Sequence, residues 1–340
     1  MNAFSLKQSI IALDRRKLNL LKAIPLLLLL LGGIAHSACA QYKHHFVVAK
    51  DGSGDFKTIQ AAIDASKSFP YKRITIYIKN GVYHEKVRVP EWNPKITLVG
   101  QSKDKTIITY GDYFKKVNRG RNSTFFTWTL LVRGNDFVAK NLTIKNSAGP
   151  VGQAIALSVE ADKAHFENCR FLGNQDTIYL SGVGFRQYFH DCYIEGTTDF
   201  IFGQGTALFK DCTIHSKANS YVTAASTPKN IKYGFVFKNC KLTAASGVNK
   251  VYLGRPWRKY AKVAYINCWL GNQIRPQGWS KWDNSTAVDS IFYAVYKNRG
   301  PGANPRKRAS WTHQLTKKQA KNYTMKKILG NWKPSTNSSQ

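Results

Sequence analysis

The 340-residue sequence predicts an all-β protein built as a parallel β-helix, and three observations carry that prediction. A short motif recurs through the middle of the chain every 20–28 residues. The recurring segments alternate apolar and polar residues and are rich in Phe, Tyr, Ile and Val, the pattern of short strands. The two ends carry helix-patterned segments suited to closing an open stack. With 43% apolar and 13% aromatic residues the chain can bury a large core, which argues against global disorder.

Residues 1–40 read as a secretory leader. Lys7, Arg15, Arg16, Lys17 and Lys22 form a basic stretch, IPLLLLLLGGIA (24–35) an apolar core, and Ala38-Cys39-Ala40 an A-x-A cleavage box. The apolar run is shorter than the roughly 20 residues of an ordinary membrane span, although an uncleaved anchor is the alternative. Cleavage after Ala40 removes five cations and Asp14, and lowers the net charge from +32 to +28. N-x-S/T triplets at Asn122, Asn141, Asn284, Asn322 and Asn337 are compatible with secretion. So basic a chain should bind polyanions. Nucleic acid, anionic lipid and acidic polysaccharide all qualify by charge, and secretion favours the polysaccharide over nucleic acid.

Residues 41–332 read as one solenoid domain, without a linker long enough to divide them. DGSGDFKTIQAAIDASK (51–67) has helical apolar spacing at Phe56, Ile59, Ala62 and Ile63, with Asp55 available as N-cap, and should close one end. HFENCRF (165–171), YFHDCYI (188–194), LFKDCTI (208–214), VFKNCKL (236–242) and AYINCWL (264–270) are the repeats. Each has an aromatic residue, one intervening residue, Asn or Asp, then Cys. VAKNLTI (138–144) is a further copy with Leu142 for Cys. Coils stacked at the strand spacing of ~4.8 Å place equivalent residues in ladders along the axis. The cysteines should form an inward ladder of small buried side chains. With Cys39 gone five remain, so at least one is free or paired between chains; Cys192 and Cys212, in neighbouring coils, are the disulfide candidates. THQLTKKQAKNYTMKKILGNW (312–332) reads as a basic helical segment packing back on the solenoid, and residues 333–340 as a flexible tail.

Four polar residues recur at the coil interval. Gln153 and Gln175 are 22 apart, Asp176 and Asp199 are 23 apart. On stacked coils the two carboxylates lie one above the other and cannot both ionise easily, so one keeps a proton while its neighbour is a base or nucleophile. The two amides beside them are neutral donors of the kind that stabilise an oxyanion. The alternative is an internal polar ladder with no chemistry.

These segments carry a family resemblance. QAIAL (153–157), GNQDTIYL (173–180), GTTDFIFG (196–203) and LGRPW (253–257) resemble, in order, the signature segments of plant pectin methylesterases, as do DGSGDFKTIQAAIDA (51–65), NGVYHEKV (80–87), KNSAGP (145–150) and GPGAN (300–304). The resemblance covers about residues 45–332. It implies a right-handed parallel β-helix and hydrolysis of C6 methyl esters of homogalacturonan to free carboxylate and methanol, with neither cofactor nor metal. It further implies Asp199 as nucleophile, Asp176 as general acid and then base, and Gln175 and Gln153 as oxyanion stabilisers. Arg255 would orient Asp199 and lower its pKa, while Thr124, Gln153, Phe202, Arg255 and Trp257 would contact substrate. The partners implied are pectin, acidic cell-wall polysaccharide and a proteinaceous pectinesterase inhibitor, with the chain a monomer in the cell wall. Ile178, Gln204-Gly205 and Trp128 depart from the usual residues, and Trp128 could reshape a subsite. A polygalacturonase-type glycosidase, which also uses paired carboxylates, and a non-catalytic pectin-binding β-helix are the rival functions.

Overall fold

A computed structural model describes residues 42–334. The leader with its cleavage site, the Asn337 triplet and most of the tail lie outside the described residues. Those described form three parallel sheets of eleven, eight and seven strands that run the length of a β-helix. Its hand is right, as parallel strand-to-strand crossovers almost always are. One coil shows the plan. Ala164–Glu167 lies in the first sheet, Arg170–Leu172 in the second and Ile178–Leu180 in the third, before Arg186–His190 re-enters the first.

Each position of the repeat has a physical task. The aromatic residue points inward, and Phe166, Phe189, Phe209, Phe237 and Tyr265 stack with ring centroids 4.7, 4.7, 4.6 and 4.4 Å apart. That spacing is the strand spacing itself, so the sheet places the rings in stacking contact. The Asn or Asp makes the corner into the second sheet. Asn168, Asp191, Asp211, Asn239 and Asn267 all have φ between 51° and 57°, a left-handed conformation these two residue types tolerate best. The corner keeps the ladder going, since Asn168 N–H donates to His190 O at 3.0 Å and Asp211 N–H to Lys238 O at 3.0 Å.

The cysteines form the expected buried ladder, but the Cys192–Cys212 disulfide does not form; Cys169, Cys192, Cys212, Cys240 and Cys268 are all free thiols. In-register parallel strands point successive Cβ atoms the same way, at about the 4.8 Å rung spacing, whereas a disulfide needs them near 3.8 Å. Each thiol instead donates to the previous coil, as Cys192 does to Phe166 O (3.6 Å) and Cys240 to Phe209 O (3.4 Å).

The ends differ in detail from the sequence expectation. The first capping helix is Ile59–Asp64, and its N-cap is Thr58, not Asp55. Asp55 is engaged elsewhere, accepting from Val47 N–H (2.8 Å) and pairing with Lys43. Glu85 satisfies two open N–H groups of the helix, those of Ile59 and Gln60, at 2.9 and 3.0 Å. The C-terminal segment is not one helix. It is an edge strand His313–Gln314 and two short helices, Lys317–Ala320 and Met325–Leu329, each begun by a threonine cap. Leu315, Ile328 and Leu329 pack onto Tyr188, Leu208, Val236 and Ala264, so this segment does pack back on the solenoid, against the outer side of the first sheet.

His165 lies on that sheet next to Tyr188, is 1% exposed, and neither ring nitrogen has a hydrogen-bond partner. Burial lowers its pKa to about 4; Glu167 opposes the shift, while Lys140, His190 and Arg73 add to it. Between pH 6.5 and 4 the unfolded chain therefore binds a proton that the folded chain refuses, and folding stability falls as pH falls. The contribution is on the order of 3 kcal/mol. His165→Phe should lack this component. In urea unfolding, its stability relative to the wild type should rise steadily from pH 6.5 to pH 4, and parallel pH profiles would contradict the assignment.

Candidate active site

The third sheet carries the site because its strands bring the coil-spaced residues into register. Ile178 pairs with Ile201 and Ile201 with Thr223. Counting back two residues places Asp176, Asp199 and Tyr221 on successive coils. The backbone confirms this, since Asp176 N–H donates to Thr198 O (3.1 Å) and Asp199 N–H to Tyr221 O (2.8 Å). Gln153 and Gln175 form a parallel bridge on the adjoining coils. The structure therefore brings Gln153, Gln175, Asp176 and Asp199 together at the start of this sheet.

Both aspartates are also corner residues, with φ of 64° at Asp176 and 50° at Asp199. An aspartate directly before Phe200, Ile201 and Phe202 thus has a conformational reason to be there besides any chemical one. The segment is tightly packed. A Cβ on Gly196 would lie 2.2 Å from the Cβ of Phe200, and one on Gly203 (φ +120°) 2.1 Å from Leu180 O. Gly205, one of the departures from the usual sequence, is backed by the buried Gln187, whose Oε1 would sit 2.4 Å from an added Cβ.

Arg255 reaches Asp199 with a two-pronged contact, Nε to Oδ1 at 3.1 Å and Nη2 to Oδ2 at 2.6 Å. Its guanidinium lies 4.1 Å from the ring centroids of both Tyr221 and Trp282, which fix its plane. Asp199 is 5% exposed and Asp176 8%. Burial pushes the Asp176 carboxyl well up, and the Asp199 charge adds to this against a smaller opposing pull from Arg255. Asp199 is itself raised above the ordinary carboxylate range. Arg255 pulls the Asp199 pKa down through its hydrogen bonds and its charge, as expected, but desolvation by burial outweighs that pull. The order within the pair survives, because Asp176 is raised further and has no comparable fork. Among the described residues no three His, Cys, Asp or Glu side chains converge in a way that could hold a metal ion.

A wall of aromatic rings runs along the same face. Tyr179, Phe202, Ala224 and Arg255 lie on one register ladder. Phe125 to Tyr179, Tyr179 to Phe202 and Phe202 to Trp257 are 5.0, 4.9 and 5.9 Å between centroids. Thr124 is buried and precedes Phe125 in the helical segment Gly120–Phe126. Trp128 packs into the same wall. Sequence reasoning missed Tyr179, Tyr221, Phe125 and Trp282. Tyr221 was findable, since it lies one further coil step beyond Asp199. Trp282 was not, because its loop lies outside the repeat.

The family model described as Pectinesterase matches residues 45–331. Among curated proteins, pectinesterase 2 of Citrus sinensis is 39% identical over 310 residues, covering 86% of this chain and 59% of its own length. A probable pectinesterase/pectinesterase inhibitor of Arabidopsis thaliana is also 39% identical, with 86% of this chain and 53% of the relative covered. The chain thus spans between half and three-fifths of the length of these curated relatives. Among solved structures, pectin methylesterase from carrot superposes with a TM-score of 0.79 at 35% identity, covering 84% of this chain and 92% of that one. A pectin methylesterase mutant in complex with a hexasaccharide follows at 0.76 and 30%, covering 88% and 100%.

Removing Arg255 leaves the Asp199 carboxylate buried without its partner. Arg255→Ala should cost about 3 kcal/mol of stability at neutral pH. In a double-mutant cycle with Asp199→Asn, urea unfolding should return a coupling of about 2 kcal/mol; additivity within about 0.5 kcal/mol would show that the fork is not an energetic unit.

Proposed function

The chain belongs to the pectinesterase family, and we propose that it hydrolyses the C6 methyl esters of homogalacturonan to free carboxylates and methanol. The observation that carries this reading is the Asp176–Asp199 pair on adjacent coils, with only Asp199 held in the Arg255 fork. That asymmetry divides the roles. Asp199, the carboxylate with the cationic partner, is the one to ionise and act as nucleophile. Asp176, raised further by burial and by its neighbour's charge, is the one to keep a proton.

Asp199 attacks the ester carbonyl carbon, and the negative charge that develops on the carbonyl oxygen is met by the amides of Gln153 and Gln175. The C–O bond to methoxide breaks as Asp176 gives its proton to the leaving oxygen, so methanol departs and an anhydride remains on Asp199. Asp176, now a carboxylate, takes a proton from water, whose oxygen attacks the anhydride. The galacturonate leaves as a carboxylic acid and Asp199 is regenerated. Arg255 keeps the Asp199 oxygens aimed through both steps, and the stacked rings of Tyr221 and Trp282 keep Arg255 aimed. Phe202, Trp257 and Tyr179 offer apolar faces to sugar rings and keep water from the nucleophile. A glycosidase would also use paired carboxylates, but the amide pair and the arginine fork suit acyl chemistry better.

The basic leader sequence and the +28 charge of the remainder support secretion into an acidic-polysaccharide matrix such as the cell wall, where substrate and product are both polyanionic. Asn122, Asn284 and Asn322 are exposed and are the candidates for glycosylation among the described residues. A relative whose name joins pectinesterase to pectinesterase inhibitor supports an inhibitor protein as a further partner.

Highly methylated pectin should release methanol when treated with the purified protein. Asp199→Asn, which keeps a residue tolerant of the left-handed corner, should reduce release by at least about 10³-fold, and Asp176→Asn by about 10²–10⁴-fold. New reducing ends without methanol would point to a glycosidase, and pectin binding without either product to a scaffold. The pH profile should be bell-shaped. Activity appears on the acid side as Asp199 loses its proton and disappears on the alkaline side as Asp176 loses its own, the two limbs belonging to a coupled pair. Asp176→Asn should abolish the alkaline limb of whatever activity it retains.

A further inference from the structure

Charge is distributed unevenly along the solenoid. Residues 42–211 carry 23 Lys and Arg against 16 Asp and Glu, whereas residues 212–334 carry 23 against two, Asp283 and Asp289. Each coil advances the chain by one rung, so this division in sequence is also a division along the axis. Among the described residues, Lys217 and Arg255 are the only cations of the second group that pair with a carboxylate, Glu195 at 3.3 Å and Asp199 at 2.6 Å.

The C-terminal segment concentrates this excess. Residues 309–334 contain six lysines, no arginine and no acid. Lys317, Lys318, Lys321, Lys326, Lys327 and Lys333 are all exposed, while Leu315, Ile328 and Leu329 hold the segment against Tyr188, Leu208, Val236 and Ala264. The lysines therefore lie over the outer side of the first sheet, not on the third sheet that carries Asp176 and Asp199. The backbone that bears them is pinned. Tyr233 O–H donates to Asn322 O at 2.7 Å, Lys238 Nζ to Tyr323 O at 3.2 Å and Arg186 Nη1 to Leu329 O at 2.9 Å. A partner would meet these charges already in place, without the cost of ordering a loose tail. Lys232, exposed and 5.5 Å from the Tyr233 ring centre, adds a cation beside them. Asp162 and Asp211, the acids on the coils beneath, already pair with Arg186 and Lys210.

The chemistry of the patch selects its partner. A run of lysines with no intervening acid attracts a repeating anion, and each ammonium is a point charge without the fork by which an arginine fixes one register. Among the described residues no exposed large apolar side chain lies beyond Trp282, so the patch has no wedge with which to enter a lipid surface. We propose that the outer face formed by the C-terminal helices is a docking surface for an acidic polysaccharide, separate from the catalytic groove, and that it tethers the protein to one stretch of polymer while the groove acts on another. The choice of polysaccharide over nucleic acid rests on the proposed secretion; the surface itself does not depend on the esterase chemistry.

Lys318→Gln/Lys321→Gln/Lys326→Gln tests it against Lys57→Gln/Lys67→Gln/Lys105→Gln, which removes the same charge from exposed positions in the acid-bearing half. All proteins are made without N-linked glycans, so that Asn322 beside the patch is bare. Binding of long-chain polygalacturonate is measured at fixed low salt. The C-terminal variant should bind about 10-fold more weakly and the control close to wild type. Equal weakening in both variants means that diffuse surface charge does the binding and overturns the docking surface, as does no weakening in either. A DNA duplex and phosphatidylserine vesicles are run in parallel, and a loss confined to one of these overturns the polysaccharide as occupant. On a methyl-esterified hexagalacturonide, kcat/KM of the C-terminal variant should equal that of the wild type; a fall as large as the loss of polymer binding would place these lysines in the groove and overturn a separate surface. Absence of methanol release by the wild type defeats the esterase reading instead, and the polygalacturonate comparison then decides the docking surface without it.

Discussion

Asp176 and Asp199 are held next to one another by the backbone hydrogen bonds of parallel coils, the same bonds that stack Phe166, Phe189, Phe209, Phe237 and Tyr265. The rung spacing is a property of the peptide unit, so the separation of the two coils cannot be relaxed by rotating a side chain. The carboxyl groups must share the cost of a buried, mutually repulsive arrangement. The fork of Arg255, the rings that fix Arg255 and the upward shift of the Asp176 pKa all bear on that constraint.

The balance at Asp199 shows which effects are large. Two charge-assisted hydrogen bonds from an arginine would ordinarily pull a carboxyl pKa down, yet burial raises it on balance. Asp176, without such a fork, is raised further. The difference between the two residues, rather than the absolute position of either, is what the proposed division of roles rests on. Burial supplies the upward push on both, and the single arginine supplies the difference.

The same economy appears at the corners. A left-handed residue makes the turn from the first sheet into the second, and Asn or Asp fills it at Asn168, Asp191, Asp211, Asn239 and Asn267. Asp176 and Asp199 occupy the same conformation at the entrance to the third sheet, so the solenoid presents carboxyl groups there without departing from its ordinary geometry. The outer side of the first sheet, by contrast, is covered by the C-terminal helices, whereas the candidate site lies on the third sheet.

The repeat, the parallel stack and the alignment of Gln153 with Gln175 and of Asp176 with Asp199 were legible in the sequence, because a coil of nearly constant length converts a sequence interval directly into a spatial ladder. Tyr221 obeyed the same rule and was one step away. What lay outside the period needed the tertiary structure. Trp282 reaches Arg255 from a loop with no fixed interval to it. Asp55 lost the helix cap to Thr58 because Val47 and Lys43 had claimed its carboxylate. The direction of the Asp199 pKa depended on how much water the folded walls exclude, which no spacing records. Cys192 and Cys212 were correctly expected to be neighbours, but whether two neighbouring thiols can join depends on the direction of their Cβ bonds. Sequence determined which residues share a ladder, through the regularity of the coil. Only the folded chain decided how side chains point, what they touch and how dry they are.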